Sequence, residues 1–467
     1  MTKKATIDDS RLFVVLHYFR LPHYCKSNAL STISHWVELV SSVEENSNIG
    51  QVFFFAFINI STIETKEKKH MKTIPLLDSE SNSARYDGII STISRFRGRA
   101  PVNELTRRFK SILKVNPWIT STLKTQGDNE FFCQYENVIN DISPWFEFYD
   151  INDLLKADKS IDNLVEMISL GEDRELMDKL YVLPTEDCID TDAQLIKFCL
   201  IEDKDIKEFA IIFSMNHIIS DGTSYYNLLN SLSFDEDIIP FNFKRKLNFT
   251  RLFFDKNHFS LKTMKENKKH KFVKKLNLEI IEKIKKDTNE ILEDEWVSTH
   301  DVISSLFFNS VKSDVSIYPV NARPHVDYLS DIDVGNYIKP VIFKNKHEMK
   351  AQDIRHAINK IKNDPENNES CINKNEDCYI NENSQMIESE SKAALTSWVQ
   401  SYKQISLGSE CSYVAHYPLK PSYLHGESLN AFEHGAILFC LNSAVWILAG
   451  VTSDVSWLEN NVLFLEG

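Results

Sequence analysis

The sequence predicts an α/β protein with two halves, each a sheet covered by helices, and three observations support this prediction. The 467 residues are 42% hydrophobic and 26% charged, which is ordinary for a globular protein. Segments of helical and of strand periodicity alternate from residue 85 onward. Residues 209–215 (FAIIFSM) are apolar on both faces, which is typical of a central strand with helices on both sides of its sheet.

The charge and the glycine content exclude several functions. The chain has 53 Lys and Arg against 67 Asp and Glu, a formal net charge of −14. Nucleic acids and anionic lipids need positive surfaces, so neither is expected as a main partner. Glycine is scarce, with 12 residues, and neither GxGxxG nor GxxxxGK followed by Ser or Thr occurs. Dinucleotide-binding and P-loop chemistry are therefore not expected.

The cysteines and the apolar runs predict the compartment. The eight cysteines are scattered without a CxxC pair, which favours reduced thiols and no metal site. The N-terminus lacks the apolar core of a signal peptide. The longest apolar stretch, 436–451, is interrupted by Asn442-Ser443 and is shorter than the ~20 residues of a membrane span, so we predict two buried strands around a turn. We expect a cytoplasmic protein without a membrane span.

Local periodicity predicts the elements of both halves. Apolar residues at helical spacing predict a helix over 102–114, which ends before Pro117. The other predicted elements are strands over 131–135, 192–201, 208–219, 315–320 and 338–343, helices over 225–232, 277–286 and 299–311 (with Thr299 as N-cap), and strands from Tyr413 to the end.

Changes in composition predict the domain organisation. Residues 251–276 are basic, which indicates either a solvated linker or a cationic arm near an anionic substrate. The predicted parts are an N-terminal extension of unknown role (1–75) with a buried strand over 52–58, a first half (76–250), the basic linker (251–276), and a second half (277–467) with a polar insertion over 363–386.

The most informative segment, SMNHIISDGTS at 214–224, follows the predicted buried strand directly. A histidine at the end of a central strand is held rigidly and can reach a cleft. Neutral imidazole, with an unperturbed pKa of ~6.5, suits a general base near neutral pH, so His217 is a catalytic candidate. Asp221 is placed to orient it or to hold the loop, and Gly222 to allow a φ that other residues resist. The pattern alone also fits a structural histidine.

This segment resembles the HxxxDG motif of the chloramphenicol acetyltransferase-like superfamily of CoA-dependent acyltransferases. That superfamily includes the BAHD enzymes and the condensation domains of peptide synthetases. Four further segments follow the order of the family, and the likeness covers roughly residues 85–465. They are VNPWI at 115–119, WVSTHDVISSL at 296–306, PVNARP at 319–324 with VGNY at 334–337, and LTSW at 395–398.

The sequence differs at two places from the motifs that characterise subfamilies of this superfamily. The DFGWG motif of BAHD enzymes is replaced by ISLGSE at 405–410, where Gly408 alone remains. Condensation domains carry a second histidine where this chain has Asn216, and no carrier-protein or adenylation signature accompanies it. The resemblance therefore extends to the superfamily and not to one subfamily.

The resemblance implies roles for the matching residues around the motif. His217 is expected to take a proton from the acceptor as general base. Asp221 is expected to pair with Arg323 and to fix the loop, with Gly222 as a structural residue beside them. A buried ion pair that loses one partner typically costs ~3–5 kcal/mol, so both charged residues are expected to matter for folding as well as for rate.

Three residues further along are expected to contact substrate, each with a structural alternative. Thr396 and Ser397 match residues near the acyl carbonyl, although such hydroxyls also bond backbone groups. Asn336 is expected to line the channel or to cap the turn after Gly335. We expect His300 to be a surface or helix-cap histidine.

The implied fold has two similar halves, each a mixed sheet covered by helices, with the active site at their interface. The implied function is transfer of an acyl group from acyl-CoA, a co-substrate rather than a bound cofactor, to a hydroxyl or amine of a small molecule by a monomeric enzyme. A cationic rim for the CoA phosphates is expected at 244–246 (KRK) and among the lysines of 265–275. The alternatives are a non-catalytic ligand-binding descendant and a condensation-type domain acting on carrier-bound substrates.

Overall fold

The structure is a computed structural model that describes most of the chain from residue 71 to residue 465. All described residues belong to one structural unit, 69–467. The predicted strand over 52–58, nearly all of the N-terminal extension and of the basic linker, and the polar insertion from residue 364 lie outside the described residues. The gaps are 83–87, 128–129, 137–140, 157, 171–172, 250–269, 294, 345–347, 364–390, 420–431, 453–454 and 459–460.

The elements alternate between strands and helices along the chain. The first fourteen are β1 (Met71–Pro75), α1 (Asp78–Asn82), β2 (Ile89–Arg97), α2 (Val102–Val115), β3 (Thr122–Gln126), β4 (Glu130–Glu136), β5 (Phe146–Asp150), α3 (Ile151–Leu154), α4 (Ile161–Leu170), α5 (Arg174–Leu180), α6 (Thr185–Cys188), β6 (Ile196–Asp203), β7 (Glu208–Asn216) and α7 (Gly222–Asn230). The rest are β8 (His270–Lys275), α8 (Leu278–Ile291), α9 (Thr299–Val311), β9 (Val315–Asn321), β10 (Ile338–Lys344), α10 (Ala351–Asn363), β11 (Lys392–Ser397), β12 (Ser412–Pro418), β13 (His434–Leu441) and β14 (Ala444–Val451).

The described strands form two large mixed sheets and one small one. The five-stranded sheet has the order β12-β2-β7-β6-β5, with β5 and β6 parallel and the other pairs antiparallel. The six-stranded sheet has the order β10-β9-β11-β13-β14-β8, with β11 parallel to both of its neighbours. The small antiparallel sheet is β1-β4-β3. The predicted α/β class, with mixed sheets and helices, is confirmed.

The five-stranded sheet includes one strand from a distant part of the chain. β12 comes from the C-terminal part of the chain, yet it pairs antiparallel with β2 at the edge of the five-stranded sheet. The first sheet is therefore completed by the segment that follows β11. The predicted boundaries of the two halves stay a prediction, and this strand crosses them.

Stacked aromatic rings fix α7 on the five-stranded sheet. The ring of Phe213 on β7 stacks on Phe198 at 4.0 Å and on Tyr225 at 4.3 Å between centroids. The Tyr225 hydroxyl donates to the Phe213 carbonyl at 2.9 Å and lies 2.7 Å from the Thr92 hydroxyl of β2. All four side chains are buried. The loop between β7 and α7 therefore has both ends attached to a rigid core.

Several predicted boundaries are corrected. The strand predicted over 208–219 ends at Asn216, because His217–Ile219 forms a 3-10 turn. Ser298 and not Thr299 caps α9, and its side chain and that of Asp301 bond each other's backbone N–H groups. The predicted hairpin around Asn442-Ser443 is confirmed as β13 and β14. No described helix is both long and apolar enough to cross a bilayer.

Candidate active site

His217 opens the loop between β7 and α7. Its backbone N–H donates to the Gly88 carbonyl at 2.9 Å, and its own carbonyl accepts from Asn336 Nδ2 at 2.8 Å. The imidazole is half-buried and lines a cavity, and its Nδ1 has no hydrogen-bond partner among the described residues. The backbone of this residue is thus fixed on both sides, while its ring lines the cavity.

The cavity has a volume of about 810 Å³ and is lined by residues of both large sheets. Residues 89–91 of β2 line it beside His217, and β9, β11 and β13 line it from the other sheet. The predicted substrate residues Thr396 and Ser397, at the end of β11, are half-buried and lie on this wall with Trp398. Among the described residues, no group of three His, Cys, Asp or Glu side chains could hold a metal ion.

Asp221 and Arg323 form a buried bidentate ion pair. Arg323 Nη1 donates to Asp221 Oδ2 at 2.8 Å, and Nη2 donates to Oδ1 at 3.2 Å. Asp221 is also the N-cap of α7, where Oδ1 accepts from the Ser224 N–H at 3.1 Å, and Oδ2 accepts from the Tyr337 N–H at 3.1 Å. Both oxygens are occupied by donors other than the imidazole, so this carboxylate holds the loop in place.

The Arg323 guanidinium joins α7 to the segment that leads into β10. Its Nε and Nη2 donate to the Asp333 carbonyl at 3.0 and 2.9 Å, and Nη2 also donates to the Gly335 carbonyl at 3.0 Å. Its Cζ lies 5.1 Å from the centre of the Tyr337 ring. One side chain therefore ties the histidine loop to the segment between β9 and β10.

A second buried ion pair, Glu80–Arg245, holds the other side of the loop. Arg245 Nε donates to Glu80 Oε2 at 2.8 Å, and both side chains are 0% exposed. Arg245 Nη2 donates to the Ile219 carbonyl at 2.7 Å, and Glu80 Oε1 accepts from the Asn336 N–H at 2.9 Å. The expected role of Arg245 in a surface rim for CoA is therefore wrong, because its charge is buried against Glu80. Sequence reasoning missed this pair altogether.

The two ion pairs meet at Gly335. Its φ is +151°, and an added Cβ would lie 2.9 Å from the Tyr337 ring, 3.2 Å from Glu80 Oε1 and 3.3 Å from Arg245 Cδ. A side chain at this position would displace atoms of Glu80 and Arg245, and also the Tyr337 ring that lies beside Arg323. The glycine of the GNY segment is thus required by the space between the pairs.

Two predicted roles are corrected by position. Asn336 is fully buried, does not line the cavity, and bonds the backbone of His217 through its side chain. It therefore supports the histidine loop instead of lining a channel. Gly222 does not have a positive φ, and an added Cβ would lie 3.5 Å from Trp398 Nε1, an ordinary contact. The sharp turn expected at this glycine is absent, because it is the first residue of α7.

His300 was expected at the surface or as a helix cap. It lies in the first turn of α9, where Ser298 is the cap, and its side chain faces the cavity and not the outer surface. The residue lines the cavity at the start of α9, with its ring 4.6 Å from that of Tyr318. Among the described residues, the cationic side chains that line the cavity are those of Arg355 and Lys362 on α10, and none of the predicted lysines; the His325 ring lines it as well. Lys271, Lys274 and Lys275 lie on β8, away from the cavity, and Lys265, Lys268 and Lys269 lie outside the described residues.

Solved structures with this architecture are known, although no profile of a protein family and no curated protein sequence matches the chain. The polyketide synthase associated protein 5 from Mycobacterium tuberculosis matches with a TM-score of 0.53 and 11% identity, over 82% of this chain and 94% of that one. TRI101 of F. sporotrichioides, solved with coenzyme A and T-2, matches with a TM-score of 0.52 and 13% identity, over 83% and 98%.

Vinorine synthase matches with a TM-score of 0.51 and 13% identity, over 84% of this chain and 94% of that one. The chain has the chloramphenicol acetyltransferase-like fold. Identities this low show the fold alone, so the chemistry has to be argued from the residues of this chain. In this chloramphenicol acetyltransferase-like fold, the HxxxDG segment at 217–222 lies at the cavity between the large sheets.

Breaking the Asp221–Arg323 pair will destabilise the protein. We expect Asp221→Ala to lower the free energy of unfolding by ~3–5 kcal/mol, because Arg323 is left charged and buried without its partner. The urea or thermal midpoint of the purified protein measures this loss. Asp178→Ala is the control, because Asp178 pairs with Arg174 at 3.9 Å on the surface, and such pairs contribute little. Equal midpoints for the two variants would contradict the prediction.

Gly335→Ala tests the crowding between the ion pairs. The variant combines a backbone φ that costs residues with a side chain ~1–3 kcal/mol with contacts that force neighbouring side chains to move. Gly408→Ala is the matched control, because Gly408 has a φ of +94° with no atom within 4 Å of the added Cβ. We expect Gly335→Ala to lower the thermal midpoint clearly more than Gly408→Ala does. Similar losses would show that strain alone matters at both glycines.

Proposed function

We propose that the protein transfers an acyl group from acyl-CoA to a hydroxyl or amine of a small molecule, with His217 as the general base. The observation that carries this proposal is the position of one imidazole on the wall of the cavity, with its loop held by two buried ion pairs. A base in a fixed position is what acyl transfer between two bound substrates needs. The fold that the chain shares with TRI101, which was solved with coenzyme A, supports the same substrate.

The proposed reaction needs no covalent enzyme intermediate. His217 Nε2 takes the proton of the acceptor hydroxyl or amine while the acceptor oxygen or nitrogen attacks the thioester carbonyl carbon. The carbon–sulfur bond then breaks, and the sulfur of CoA leaves with the proton that the imidazole carries. Holding both reactants in one cavity contributes ~7–11 kcal/mol to lowering the barrier.

The other predicted site residues fit roles around this step. Thr396 and Ser397 are proposed to donate hydrogen bonds to the carbonyl oxygen as it gains charge. Asp221 and Arg323 are proposed to position His217 without touching the substrate. For the phosphates of CoA, Lys362 replaces the basic segments expected from the sequence, because it lines the cavity.

Two other functions use the same cavity, and one assay separates them. A non-catalytic ligand-binding descendant, which the altered segment 405–410 favours, binds acyl-CoA without releasing thiol. A condensation-type domain is active only when the acyl group is presented on a phosphopantetheinyl protein. Free-thiol detection with acetyl-CoA, a long-chain acyl-CoA and an acyl carrier protein, each against a panel of alcohols and amines, distinguishes all three.

Replacement of His217 tests the base directly. We expect His217→Ala to lower the rate of acyl transfer by ~100- to 10,000-fold and to leave the thermal midpoint near that of the wild type, because the ring makes no structural hydrogen bond through Nδ1. The control is His356→Ala, since His356 on α10 is exposed and does not line the cavity. If His217→Ala kept most of the wild-type rate, another group would have to be the base.

A further inference from the structure

A second polar cluster lines the cavity on the side of the six-stranded sheet. This α9 cluster consists of His300, Asp301, Tyr318 and Arg355, which come from α9, β9 and α10. Arg355 Nε donates to Asp301 Oδ2 at 2.8 Å, and the rings of His300 and Tyr318 lie 4.6 Å apart. The proposed acyl transfer uses none of these side chains, so their polar groups need another explanation.

The Asp301 carboxylate is satisfied on one oxygen only. Oδ2 accepts from the Ser298 N–H at 2.7 Å, from the Ser298 hydroxyl at 2.9 Å and from Arg355. Oδ1 has no hydrogen-bond partner among the described residues, although Asp301 is 0% exposed. The cap of α9 and the ion pair with Arg355 explain the hydrogen bonds of Oδ2, but neither gives Oδ1 a partner. Buried acceptors are almost always paired, so the unpaired Oδ1, on a residue that lines the cavity, lacks a partner that the described side chains do not supply.

His300 supplies a matching donor. Its Nδ1 lies 3.2 Å from the Ser304 hydroxyl, while its Nε2 is covered and has no partner in the described structure. Burial, together with nearby Arg355, lowers the pKa of His300 to about 4 although Asp301 acts in the opposite direction, so the ring is neutral at neutral pH. The Ser304–His300 hydrogen bond admits either direction, and we assign the Ser304 hydroxyl as its donor. Nε2 then carries the proton and can donate.

The charges select the kind of group. Arg355 compensates the charge of Asp301, so the cluster has no net charge and offers, besides the Tyr318 hydroxyl, one unpaired donor and one unpaired acceptor. A hydroxyl matches both, because it donates through its hydrogen and accepts through its oxygen. A charged group would lack a counter-ion in this part of the cavity and would lose its hydration on entering.

We infer that the α9 cluster recognises a hydroxyl of the acyl acceptor other than the one that reacts, and so selects acceptors with at least two hydroxyl groups. The inference rests on the proposed function for the identity of the bound molecule. His300 and Asp301 are then specificity-determining residues. An acceptor that lacks the second hydroxyl leaves Oδ1 and Nε2 unpaired, and this penalty is what discriminates between acceptors.

Matched alcohols test the inference in the full-length purified protein. The rate of thiol release from acetyl-CoA is measured with the n-alkanols from butanol to octanol and with the α,ω-diols of the same lengths. We expect kcat/KM for at least one diol to exceed that of its alkanol by about tenfold or more, well beyond the gain from a second reacting hydroxyl. His300→Leu should remove this preference, so that diol and alkanol of one length react with similar kcat/KM, and His300→Gln should restore part of it.

A binding measurement keeps this test separate from the proposed function. Saturation-transfer NMR with the same diols and alkanols, in the presence of CoA, reports binding whether or not acyl transfer occurs. We expect at least one diol to bind more strongly than its alkanol to the wild type and to the control His356→Leu, and no such preference in His300→Leu. Equal binding of diol and alkanol to the wild type at every length, or a preference that survives in His300→Leu, would overturn the inference. Absence of thiol release with intact diol preference would overturn only the proposed function.

Discussion

Two buried ion pairs hold the loop that presents His217, and the arrangement of the candidate site depends on them. Asp221–Arg323 fixes the end of the loop that enters α7, and Glu80–Arg245 fixes its middle through the Ile219 carbonyl. Each pair also reaches the segment that leads into β10, which contributes Gly335. The loop from the five-stranded sheet is thereby attached to the connection between β9 and β10 of the six-stranded sheet.

Burial of four charges is costly, and their geometry offsets this cost. Removing ions from water costs several kcal/mol for each, and the loss is recovered only when the remaining donors and acceptors are satisfied. Arg323 and Arg245 meet this condition, since their guanidinium groups donate both to a carboxylate and to backbone carbonyls. Apolar residues would stabilise such a core at lower cost. The charged pairs instead specify one position for the loop, which is what a fixed general base requires.

Local chemistry explains what could be predicted from the sequence. The strand before His217 and the capping position of Asp221 are encoded by neighbouring residues, whereas the contact with Arg323 spans 102 positions and was expected only through the family resemblance. Glu80–Arg245 spans 165 positions without a motif, and the basic neighbours of Arg245 gave it the pattern of a surface cation. His300 lies on α9, and the apolar periodicity of a helix shows only which face is buried in the core. It does not tell whether a polar residue faces an internal cavity or the solvent.

Hydrogen–deuterium exchange of the loop tests the central claim most directly. The substitution Glu80→Gln keeps the shape of the side chain but removes the negative charge that pairs with Arg245. If the ion pairs hold the loop, the amides of 217–221 will exchange about tenfold faster or more in this variant, while the amides of β6 keep their wild-type rates. Unchanged exchange in the loop, with the variant folded, would contradict the claim that these pairs keep His217 in place.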